Sequence, residues 1–200
     1  MTNGGDSTPI PGSNGYYFKW VDNVQAAYAL EMQGYPASEG ASLATLTYRH
    51  DVAPHLFLGL YGTGQPMDGP RNHSTTCVLP KDTLVGYISA TAGQQERLTH
   101  DTMATHQPQG TRVYIHSVCV NPRYQRKGVA SCLLQEFPRH LCRLANHFPD
   151  QYPRYDSILL IAHEYLFPLY LKNGFRLLGP SSVVHGPEEW YEFIRKVGEY

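Results

Sequence analysis

Gln125-Arg126-Lys127-Gly128-Val129-Ala130 lies between an apolar stretch that reads as a strand, Val113 to Val120, and an amphipathic stretch that reads as a helix, Val129 to Leu144. A polar, glycine-bearing turn at a helix start leaves several backbone N–H groups unpaired and pointing at one spot, next to the positive end of the helix dipole. That arrangement binds phosphate. The amides of Arg126 to Ser131 would do the holding, and Gly128 permits close approach because it has no side chain. Arg123, Arg126 and Lys127 would meet a further phosphate or stand as solvated surface charges. The spacing lacks Gly-Lys-Ser/Thr, and with one glycine it is not Gly-x-Gly-x-x-Gly, so neither nucleotide fingerprint applies.

A second set of reactive side chains precedes this turn. Tyr114 and His116 are two apart on the strand candidate, so both project from one face, about 6.6 Å apart. An imidazole there can act as a general base toward a bound amine, directly or through water, or it can be satisfied within the sheet. A primary amine has a pKa of about 10.4 and must lose a proton before it attacks, so a base titrating near neutrality is useful. Cys119 could carry an acyl group as a thioester, but no neighbour in sequence activates it. The ten histidines and four cysteines form no H-x-x-x-H, H-E-x-x-H or C-x-x-C spacing, so no metal site is expected.

These residues need elements to hold them. Two hundred residues suit one domain with a substantial core. Sixteen basic and seventeen acidic side chains leave the chain nearly neutral, which implies neither nucleic acid nor an anionic membrane as partner. No apolar run reaches the roughly 20 residues of a membrane span, and the start is not that of a secretory signal, so a cytoplasmic location is expected. Residues 1–15, rich in Gly, Ser, Thr, Asn and Pro, read as a flexible tail, and 16–200 as a single domain. Asp22 is the expected N-cap of a first helix presenting Val24, Ala27, Tyr28 and Leu30 or Glu31, broken at Gly34 and Pro36; Ser38 is expected to cap a second. Leu56 to Tyr61 and Thr83 to Thr91 read as strands, with a protruding loop over 62–82 between them. Gln94 to His106 reads as helical at its start. Ser157 to Ala162 reads as a strand buried on both faces. A short helix over Phe167 to Asn173 should stop at Gly174. Strands near Phe175 to Leu178 and Trp190 to Val197 close the chain.

The loop over 125–130 is similar to the Gln/Arg-x-x-Gly-x-Gly/Ala loop of the GNAT N-acetyltransferase superfamily. Further motifs narrow the resemblance: Glu96-Arg97-Leu98-Thr99, Tyr114 to Val120, His163-Glu164, Phe167 to Phe175 and Gly179-Pro180. In this order they resemble the arylalkylamine (serotonin) N-acetyltransferase family. Gly34 to Glu39 and Glu189 to Phe193 are similar to its non-vertebrate, fungal-type branch. The resemblance implies an α+β fold, with a mixed central β-sheet of about seven strands flanked by helices. Its splayed central strands would hold acetyl-coenzyme A. It implies direct acetyl transfer to small primary amines such as tryptamine, serotonin or phenethylamine. Acetyl-coenzyme A would be the co-substrate, with no metal and no obligatory protein partner, and the chain a monomer.

Roles carry over onto particular positions. His116 matches one member of a two-histidine proton path, whereas Tyr114 stands where the second histidine is expected. Tyr170 matches the phenol that protonates the departing thiolate. Main-chain groups of Val118, Cys119 and Val120 would pair with the pantetheine arm. The pyrophosphate would sit on Gln125, Arg126, Lys127, Gly128, Val129, Ala130 and Ser131, with Asn173 completing the cofactor side. The amine slot would draw on Tyr35 and Pro36, then His185, Glu188 and Trp190. Glu31, Glu164 or Glu188 near the entrance would suit a second ammonium, so polyamines are the alternative substrates. A non-catalytic acyl-coenzyme A sensor is the alternative outside enzymes.

Overall fold

The protein is described by a computed structural model covering residues 10–11, 15–67, 77–183 and 188–198. In chain order the strands and helices are β1 (Ile10–Pro11), β2 (Tyr16–Trp20), α1 (Val24–Gly34), α2 (Leu43–Val52) and β3 (Phe57–Gly62). Next come β4 (Pro66–Met67), β5 (Cys77–Val78), β6 (Leu84–Gly93), α3 (His100–Ala104) and β7 (Arg112–Val120). The chain ends with α4 (Val129–His147), β8 (Ser157–Ala162), α5 (Phe167–Lys172), β9 (Arg176–Pro180) and β10 (Tyr191–Lys196). It divides into two compact units. One runs to Ser89 and includes Val118–Leu133; the other holds Ala90–Ser117 and everything from Leu134 on.

In the first unit the strand order is β1-β2-β3-β6-β7. Its core joins Ala27 and Leu30 of α1, Leu46 of α2, Phe57 and Tyr61 of β3, Leu84 and Tyr87 of β6, and Cys119 of β7. In the second unit the order is β6-β7-β8-β10-β9. Here Leu98, Tyr114, Leu159 and Val183 form a buried cluster. The β7–β8 pair is parallel and β8–β10 antiparallel, so the sheet is mixed, with helices flanking it. The β7–β8 register covers Arg112↔Ser157 to Tyr114↔Leu159, and β7 runs on to Val120 beyond those pairs. β8 lies next to β10, and five of its six residues are buried, as its unbroken apolar run requires.

Several boundaries differ from the sequence reading. Asn23, not Asp22, caps α1 by accepting from the Ala26 amide at 3.0 Å. Asp22 is drawn away by Lys19, whose ammonium lies 2.6 Å from its carboxylate, and the pair holds the Asp22 carboxyl below its usual range. Ser42, not Ser38, caps α2 through the Thr45 amide at 3.1 Å, while residues 36–40 close a turn. Gln94 to Leu98 is not helical; the helix begins at His100 behind a Thr99–Thr102 capping box. α4 continues to His147 with Pro138 inside it. Of the expected 62–82 loop, Pro66–Met67 pairs with Cys77–Val78 and residues 68–76 lie outside the described ones, as does most of the expected tail.

Candidate active site

The phosphate-binding candidate is built in the first unit. A 3-10 turn over Pro122–Tyr124 follows β7, and four turn residues lead directly into α4 at Val129. Arg126 (φ 59°) and Gly128 (φ 88°) both lie in the left-handed region. For a residue with a Cβ that conformation costs about 1–2 kcal/mol, and such strain concentrates at functional sites. Left-handed residues in a tight turn aim successive amides into one concavity, and the first-turn N–H groups of α4 have no intrahelical carbonyls. The residues present therefore fit a pyrophosphate. Gln125 supports the turn by donating from Nε2 to the Val120 carbonyl at 3.2 Å. Lys127 Nζ lies 5.5 Å from the Tyr124 ring centroid and Arg123 Cζ 6.0 Å, so this ring carries two cations. Gly128→Val is expected to weaken coenzyme A binding at least tenfold in calorimetry, because a branched side chain meets both the strain and the cradle. An unchanged Kd would remove Gly128 from the site.

The strand beyond the paired part of β7 holds a surprise. Tyr35 Oη donates to the Val118 carbonyl at 3.2 Å and accepts from the Val118 amide at 3.0 Å. Both main-chain groups expected to serve a pantetheine arm at that residue are thus engaged by a side chain of the same unit. Cys119 is buried, and desolvation, with the Glu31 carboxylate adding to it, pushes its thiol well above the ordinary value. A thiol held neutral is a poor nucleophile.

Glu31 is not an entrance carboxylate. Its residue exposure is 1 %, Oε1 accepts the Ala41 amide at 2.9 Å, and Oε2 accepts the Tyr87 hydroxyl. Arg49, also buried, interacts with it electrostatically, and burial pushes that guanidinium down to about 10. A carboxylate so placed fastens the loop between α1 and α2, the loop that carries Tyr35 and the exposed Pro36.

The titratable groups expected to do chemistry lie in the second unit. His116 Nε2 is 2.8 Å from Thr91 Oγ1 on β6. Tyr114 is buried and donates its hydroxyl to the Gln95 carbonyl at 3.0 Å; burial raises its pKa. Tyr170, on α5, packs its ring against Phe175 and Phe193, at 5.7 and 5.6 Å between centroids. Burial, and to a smaller extent Tyr165, raises the Tyr170 phenol well above its ordinary value. Asn173 caps α5: it donates from Nδ2 to the Leu169 carbonyl at 2.8 Å and accepts from Gln135 at 3.3 Å. Gly174 follows at φ 80°, the conformation that ends the helix. Trp190 precedes β10 with its ring against His163, and Glu188 is exposed. Glu164 is exposed, and His185 lies outside the described residues. Among the described residues no three His, Cys, Asp or Glu side chains could hold a metal ion. No described helix is long and apolar enough to cross a membrane.

The sequence model of the Acetyltransferase (GNAT) family matches residues 26–143. That is more than half of the chain, and it takes in the turn at 125–128 and the start of α4. The chain belongs to the GNAT family.

As a GNAT protein it is 29% identical over 143 residues to the serotonin N-acetyltransferase of Mesocricetus auratus. The match takes in 68% of this chain and 65% of that protein, so it spans just under two thirds of the relative. The loading GNATL domain of CurA from Lyngbya majuscula superposes with a TM-score of 0.69 at 12% identity, over 92% of this chain and 98% of that one. The GphF GNAT-like decarboxylase in complex with isobutyryl-CoA superposes with a TM-score of 0.64 at 18% identity, over 87% and 94%. At such identities these two likenesses concern the GNAT fold alone.

Four features of this GNAT chain escaped the sequence reading: Thr91 beside His116, the Gln95 carbonyl on Tyr114, Tyr35 on Val118, and His163 against Trp190. A period-two reading of β6 puts Tyr87, Ser89 and Thr91 on one face. Nothing local says that a histidine 25 positions later lies opposite Thr91.

Proposed function

We propose that this protein is an acetyl-coenzyme A-dependent N-acetyltransferase that moves acetyl directly to small primary amines, with arylalkylamines such as tryptamine, serotonin and phenethylamine as preferred acceptors. The observation that carries the coenzyme half is the turn with left-handed Arg126 and Gly128 opening α4. The amine half is supported by the serotonin N-acetyltransferase relative and by His116 and Tyr170 on β7 and α5.

In this reading His116 takes the proton from the ammonium, directly or through one water, and the Thr91 hydroxyl at 2.8 Å orients its ring. The freed amine attacks the thioester carbonyl, a C–N bond forms and the C–S bond breaks. Tyr170 then gives its phenolic proton to the coenzyme A sulfur and is reprotonated from solvent. A phenol whose pKa is raised by burial stays in the O–H form that a proton donor needs. Tyr114, with its hydroxyl on Gln95, sets the geometry of β7 rather than relaying protons. Val118, Cys119 and Val120 line the cofactor side in the first unit, where the pantetheine arm must exchange with Tyr35 at Val118. Trp190 makes an apolar side of the amine slot; Tyr35 and Pro36, expected there too, belong to the first unit. The protein acts as a monomer in the cytoplasm, where a reducing medium suits its four cysteines; none of them forms a disulfide.

A polyamine acceptor is the second reading, favoured by the exposed carboxylates of Glu164 and Glu188. Thiol release from acetyl-coenzyme A with tryptamine, serotonin, phenethylamine, spermidine and putrescine separates the two. Preference for aryl amines supports the first reading and preference for spermidine the second. Tight cofactor binding without thiol release would make the protein a sensor. His116→Gln is expected to lower kcat/KM about 10²-fold at neutral pH. It should also abolish the rise in rate with pH that deprotonation of an imidazole base produces. A variant that kept that rise would place the base elsewhere.

A further inference from the structure

His163 has no part in the chemistry above, yet it is one of the most enclosed ionisable side chains of its unit, with 4 % of its surface exposed. It is the first residue beyond β8 and leads into the 3-10 turn before α5. Its ring is held on two sides. Tyr165 stacks on it at 5.6 Å between centroids and 20° between planes, and Trp190 lies at 3.8 Å and 39°. Nδ1 is 3.1 Å from the Glu189 carbonyl oxygen, which can only accept, so Nδ1 carries a proton and donates it. The same nitrogen is 3.5 Å from the exposed Glu188 carboxylate. Glu188, Glu189 and Trp190 are the three residues entering β10, whose Tyr191 pairs with Ala162 of β8.

We infer that His163 is a positioning residue for the amine side: it clamps Trp190 and the Glu188–Glu189 segment to the end of β8. The inference rests on the proposed reading that Trp190 lines the amine slot. The imidazole lies against two aromatic faces while its Nδ1–H fixes the Glu189 carbonyl, so ring packing and one directed hydrogen bond hold the same segment. Glutamine keeps a donor for that carbonyl but has no ring to set against Trp190.

The test uses the emission of Trp190 in a Trp20→Phe background, in which it is the one tryptophan left. His163→Gln is expected to shift that emission to longer wavelength and to open Trp190 to quenching by acrylamide, because the ring against it is gone. With tryptamine as acceptor, His163→Gln should raise KM about tenfold while kcat and the acetyl-coenzyme A KM stay within twofold, the loss of one aromatic pair. Unchanged Trp190 emission and quenching in the variant, or equal changes in both KM values, would overturn the inference. Should His163→Gln fail to fold, the unsubstituted His163 protein alone decides, and a Trp190 quenched as freely as indole in water overturns the clamp. A shielded Trp190 without turnover of any amine would instead sink the proposed activity and leave the clamp standing.

Discussion

Tyr170→Phe is expected to lower kcat for amine acetylation by about 10²- to 10³-fold while the Kd for coenzyme A stays unchanged. The phenyl ring remains between Phe175 and Phe193, so packing is kept and only the O–H is lost. The magnitude follows from the leaving group: without a donor the thiolate must depart unprotonated. Burial raises the phenol's pKa, which keeps the O–H in place across the neutral range. Tyr165→Phe, five residues earlier and exposed, is the control and should leave kcat within twofold. Stopped-flow measurement of thiol release reads both. If Tyr170→Phe retained wild-type kcat, the acid would have to be water or another side chain, whatever became of the family assignment.

Glu192→Ala should be the most destabilising single change at a charged residue of the second unit, costing about 2–4 kcal/mol. Glu192 has 1 % exposure; Oε2 accepts from Arg97 Nε at 2.6 Å and Oε1 from the Leu98 amide at 2.8 Å. Arg97 is about half exposed and can turn to water or to the Pro180 carbonyl, so the ionic part of the pair is screened. The Leu98 amide cannot, and an unpaired buried N–H costs about 1–3 kcal/mol by itself. Glu192→Gln, which can still accept that bond, should therefore recover more than half of the loss. For a chain of this size the alanine variant should melt about 5–10 °C lower by calorimetry. Equal losses in the Ala and Gln variants would mean that charge, rather than the buried amide, is what Glu192 serves.

That contact also marks where the sequence stops being legible. Arg97-Leu98 and Glu192 each belong to a recognisable motif, and the chain alone does not indicate that two stretches 95 residues apart share one carboxylate. What could be read directly was local: the amphipathic period of α4, the unbroken apolar run of β8, the glycine that ends α5, and the polar turn whose single glycine proves left-handed. Each depends on residues within one or two turns of one another, where backbone preference and side-chain period act without help. The choice of Asn23 over Asp22 as helix cap already required a neighbour, because Lys19 competes for the aspartate.

The sequence by itself determined the family and the order of the main elements, because these are set by spacing along the chain. Only the tertiary structure decided that Glu31 is a buried fastener rather than an entrance carboxylate. It also decided that Tyr35 covers the main chain of Val118, that Thr91 meets His116, and that His163 grips Trp190. A carboxylate on a helix reads alike whether it faces water or core. Which it does depends on the strands packed against that helix, and so on hydrogen bonds such as the one from Tyr87, 56 positions away.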